Sequence, residues 1–92
     1  MMDYDIYKAT EGRKTYLVFT YRQLVTYKAG LGFYKDNAVK QAFKQAKKYF
    51  KVSEDKMECE VGYAHGNDLW FDYKPRGSHM VLVFYTGKRR AS

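Results

Sequence analysis

This chain holds one cysteine, Cys59, so no internal disulfide can staple it. That excludes a cystine-framework scaffold, and a reducing, cytoplasmic setting is the expectation. Long apolar runs are also missing: none approaches the roughly 20 residues that cross a bilayer as a helix. The opening "MMDYDIYK" offers neither a basic leader nor an apolar signal segment, so no membrane partner is expected. There is no internal repeat, low-complexity tract or linker, and 92 residues make one small domain, 1–92. Acidic residues are scarce. Ten Asp and Glu stand against seventeen Lys and Arg, and the net charge of +7 draws the chain toward polyanions.

The usual catalytic signatures are lacking too. "AGLG" has no following Lys-Ser/Thr and opens no helix from a strand, so it is not a phosphate loop. His65 and Asp68 lie three apart with no second cluster to complete a metal site, and they read as turn residues. Cys59 alternates inward with Met57 and Val61 and has no basic neighbour to favour a thiolate, which marks a core thiol. Glu58 and Glu60 share a strand face, where a solvated role outweighs that of paired carboxylates. The expectation is a protein without metal, cofactor or catalytic residues. A small basic ribonuclease of toxin type is the alternative, since such enzymes need an acid–base pair beside phosphate-gripping cations. "RGSH" resembles a segment of the HicA-type messenger-RNA interferases, although the helix stands in the wrong place for them.

Aromatic residues are abundant, at 18% with ten tyrosines, and suit half-buried strands and interfaces. Strands are predicted over 3–10, 15–27, 56–63, 69–74 and 80–86 from alternation and β-branched content. A helix is predicted from about Asp36 to Phe50, with Asp36 or Asn37 as the cap. Val39, Ala42, Phe43, Ala46 and Phe50 form its apolar stripe, with Phe43 expected among the most buried residues. The fold class is therefore α+β: an antiparallel sheet of about five strands, order ββαβββ, with one α-helix packed on one face. The last three strands read as a meander, with 69–74 and 80–86 paired as a hairpin. Their connection contains "PRGSHM", which spells both a turn and the junction left by a thrombin-cleavable expression tag. Ser78 and His79 therefore carry no functional weight.

Lys40, Lys44, Lys47 and Lys51 recur at i, i+4, i+7 and i+11 and occupy one sector of the helix, with Lys48 at its edge. A solvated helix face normally mixes signs. This helix has no acidic residue after Asp36, and unrelieved lysines repel one another, which an anionic partner would offset. Arg13 and Lys14 on the first turn and Lys88, Arg89 and Arg90 at the end extend the candidate basic surface. Trp70, Tyr73 and Lys74 add stacking and charge of the kind that single-strand binders use. The expected partner is nucleic acid, or an acidic surface of a nucleic-acid-handling complex. The alternative binding mode is a protein-interaction module built on the tyrosine-rich sheet, and the chain is expected to be a monomer or homodimer.

"AVKQAFKQAKKYF", a short strand and "GNDLWFDYKPRG" together resemble the second half of a small phage-encoded type I-F anti-CRISPR family. About residues 38–77 carry the likeness, through Leu69-Trp70, Tyr73-Lys74 and Gly77 after an alanine–lysine helix. The long second strand departs from that pattern. The resemblance implies a five-stranded sheet with one helix. It also implies a non-catalytic inhibitor whose basic surface meets a CRISPR surveillance complex at its nucleic-acid-binding surface, or DNA.

Overall fold

A computed structural model describes residues 4–11, 13–21 and 37–88. Five strands, β1 (Tyr4–Glu11), β2 (Lys14–Tyr21), β3 (Met57–His65), β4 (Asp68–Trp70) and β5 (His79–Thr86), form one antiparallel sheet. Helix α1 (Asn37–Phe50) lies on one face, and a 3₁₀ turn, Glu54–Lys56, leads into β3. The α+β class and the ββαβββ order are those expected. The far end of the predicted 15–27 strand, and Asp36 of the cap, lie outside the described residues.

The pairing differs from a meander. The strand order is β1-β2-β5-β3-β4, so β5 runs between β2 and β3, and among the described residues β4 pairs only with the end of β3. The predicted hairpin of 69–74 with 80–86 does not form. The reason lies in β5: five consecutive residues, Val81 to Tyr85, are buried, and a strand apolar on both sides belongs in the middle of a sheet. Leu82 and Phe84 face the helix side with Leu17, Phe19 and Met57. Val81, Val83 and Tyr85 face the other side with Tyr16, Val18 and Ala9.

That second face is closed by the chain itself. After Trp70 the backbone bends, and Phe71 packs on the Tyr16 ring at 5.8 Å between centroids. The predicted strand 69–74 is therefore only three residues long, Asp68–Trp70. The sheet curls in the same direction, so that Thr10 of β1 lines a cleft of about 180 Å³ with Asn67, Asp68 and Trp70. Gly62 permits this crossing, because a Cβ there would meet the Trp70 carbonyl oxygen and Val83 Cγ2, each at 3.1 Å. Gly62→Ala should accordingly cost about 1–3 kcal/mol through overpacking. Urea denaturation checks this, and an unchanged midpoint would show that β4 yields freely.

The Pro75–Met80 string is built into the fold. Ser78 is buried, and its hydroxyl and N–H both donate to the Pro75 carbonyl, at 2.6 and 3.1 Å. Gly77 supplies the left-handed residue of the turn at φ +85°, and His79 opens β5 opposite Ala64.

Alanine and lysine give α1 its propensity, and the apolar stripe seats it. Val39, Ala42 and Ala46 are fully buried against the sheet. Phe43, expected at the centre, is only half-buried. The small alanines meet the sheet directly, which sets the Phe43 ring to the flank, edge-on to Phe84 at 5.0 Å. The helix ends where Lys51 and Val52 both donate backbone N–H bonds to the Lys47 carbonyl, with Lys51 left-handed at φ +57°.

Candidate binding groove

The displacement of Phe43 opens a groove of about 650 Å³ between α1 and the start of β3. Lys40, Lys44 and Lys47 line its helix wall with Asn37 and Gln41. Phe43, Met57 and Cys59 supply apolar surface, and Glu54 of the 3₁₀ turn contributes the one carboxylate among the described lining residues. Three lysines thus line a partly apolar trough, a combination suited to an anionic chain that also carries carbon surface. Lysine stems cover apolar surface while their heads stay wet, so both kinds of contact come from one wall.

The other described candidate residues do not line this groove. Lys48 and Lys51 are exposed but stand outside its lining, so the expected stripe of four is reduced to three. Arg13 is exposed in the β1–β2 turn, and Lys88 is exposed beyond β5. Arg89 and Arg90 lie outside the described residues. Lys14 has a structural role: its ammonium donates to the Thr86 carbonyl and stands 5.3 Å from the centre of the Tyr85 ring. Trp70 is half-buried opposite Tyr63, whereas Tyr73 and Lys74 are exposed in the segment after β4. Sequence reasoning placed Met57 and Phe43 in the core and did not single out Asn37, Gln41 or Glu54. Their meeting depends on β3 lying beyond β5, which no local pattern states.

The carboxylates read as a possible acid–base pair are separated in role. Glu60 accepts a hydrogen bond from the Tyr85 hydroxyl on the face opposite the groove, and Glu58 is exposed. His65 and Asp68 are the closing pair of the β3–β4 hairpin. Among the described residues, no group of three or more His, Cys, Asp and Glu could hold a metal ion. No described helix is long and apolar enough to cross a membrane.

Burial pushes the Cys59 thiol up from 9.0 to about 12, and the neighbouring Glu60 charge adds to the effect. At pH 8 it holds roughly a thousandfold less thiolate than an unperturbed thiol, and alkylation should slow in proportion. The linkage has a definite sign. Between pH 9 and about 12 the unfolded chain has released a proton that the native chain keeps. Stability therefore falls with rising pH in that window, by at most about 1.4 kcal/mol per pH unit. Cys59→Val should remove this contribution, and parallel denaturation of the two proteins at pH 8 and 11 measures it. Equal losses in both would refute it.

Compared with known proteins, the chain matches no family model, no curated protein and no solved structure.

Proposed function

We propose that this protein is a non-catalytic binding protein that grips a polyanion through the groove between α1 and β3. The partner is nucleic acid, or the acidic surface of a complex that handles it. The observation that carries this reading is the convergence of Lys40, Lys44 and Lys47 on one trough with apolar surface and, among the described lining residues, a single carboxylate. Such a site costs electrostatic repulsion when empty and recovers it when an anion enters. The net charge of +7 would draw that anion in from a distance. The resemblance to type I-F anti-CRISPR proteins supports an inhibitor of phage origin acting on a surveillance complex in the cytoplasm.

A gel shift with single- and double-stranded DNA and RNA at two salt concentrations tests this. Phosphate binding weakens steeply with salt, whereas an aromatic sheet interface does not. Failure to bind any nucleic acid or any nucleic-acid-handling complex at low salt would sink the reading.

A further inference from the structure

We infer that the outer edge of β3, Met57 to Val61, takes an extended acidic polypeptide segment as an added strand beside the lysines of α1. The inference rests on the groove being the working surface and names the partner that fits it.

The β3–β4 hairpin closes on His65 opposite Asp68 with two residues between them, and the closing pair of such a hairpin is hydrogen-bonded. Backbone groups alternate sides along a strand. Counting back from His65, the amides and carbonyls of Tyr63, Val61, Cys59 and Met57 point away from β5. Those of Ala64, Gly62, Glu60 and Glu58 point toward it. The other hairpin gives the same parity: Glu11 opposite Lys14 fixes β2, the β2–β5 register fixes β5, and Val83 then bonds Glu60. Beyond Tyr63, β4 pairs no further, so among the described residues the outward groups of Val61 and Cys59 have no strand beside them, while the Met57 N–H already donates to the Glu54 carbonyl and leaves only its carbonyl to the edge.

An open edge is a template for another strand. The outer edge of β1 is a second such template, but no lysine-lined groove of the described residues adjoins it. At β3 the side chains of Met57 and Cys59 already line the groove. The lining positions 37 to 47 run along about 15 Å of helix, and the five edge residues span about 17 Å. Alternate residues of an added strand would face the helix every 6–7 Å or so, close to the roughly 6 Å rise between Lys40 and Lys44. Acidic side chains at alternate positions therefore meet the lysines. A second copy of this chain is a poor occupant, because it brings another +7 to the same place.

The probe is a fluorescein-labelled peptide of four Glu-Val repeats, with two isomers N-methylated on every valine or on every glutamate. The parent peptide should bind, and one isomer should bind about tenfold or more weaker through lost ladder bonds while the other is spared. Hydrogen exchange at the Cys59 and Val61 amides should slow on saturation, which side-chain docking alone would not produce. The double variant Lys44→Gln, Lys47→Gln should weaken peptide binding. Equal binding of both isomers with unchanged exchange at Cys59 and Val61 overturns strand addition. So does pairing of two copies of this chain through β3 at the expense of the peptide. If oligo(dT) binds in a lysine-dependent way and no peptide does, the strand inference fails and the groove reading stands. If neither binds, both fail.

Discussion

Phe84→Ala should remove about 3–5 kcal/mol of stability, the range for truncating a buried phenylalanine. The ring is 1% exposed in the central strand, packed with Leu17, Leu82 and Met57 and touched edge-on by Phe43. A domain of this size commands about 5–15 kcal/mol in total, so the variant should be close to unfolding at room temperature. Phe43→Ala should cost about half as much, because one side of that ring already borders the groove. Urea titrations followed by circular dichroism rank the two. A larger loss at Phe43 would mean that the helix seats on its phenylalanine and not on Val39, Ala42 and Ala46.

The largest effect on binding should come from replacing Lys40, Lys44 and Lys47 together by glutamine. Three contacts to duplex DNA imply a log–log salt slope of about −2.7, or about −2.1 for a single strand. Raising salt from 50 to 200 mM should then weaken duplex binding about 40-fold in the native protein, and far less in the triple variant. Glutamine is also a good helix former, so the fold should persist. Replacing Lys48 and Lys51 in the same manner should leave most of the slope in place, since neither lines the groove. Should the two sets of variants lose equal slope, the cations act as a diffuse field and the groove is not the contact.

Much of this was written in local pattern. The helix stripe from Val39 to Phe50 and the alternation in "MECEV" depend on neighbours three, four or two residues away, which is the range a sequence displays. Strand order depends on contacts across sixty residues, and local pattern alone reads as a meander. The run "VLVFY" held the corrective signal: unbroken apolar character marks an interior strand, not the second arm of an edge hairpin. The lysine spacing likewise showed which cations share a helix sector. It could not show that Lys51 falls beyond the groove, or that Met57 would line it together with Lys44, because both depend on where β3 is laid down.

The position of β5 also dictates an order of events during synthesis. The strand that joins the β1–β2 pair to the β3–β4 pair emerges after all four of them. Until then the nascent chain is two separate hairpins and a helix whose apolar stripe has only part of its seat. Folding must wait for a pairing about 65 residues apart in sequence, such as Val18 with Val83, and long-range closure of this kind is slow. In that interval the inward edges of β2 and β3 stand open, and the incoming "VLVFY" is the segment most prone to pair with a stranger. A chain truncated before Val81 should therefore be recovered in aggregates, with neither hairpin surviving as a folded fragment.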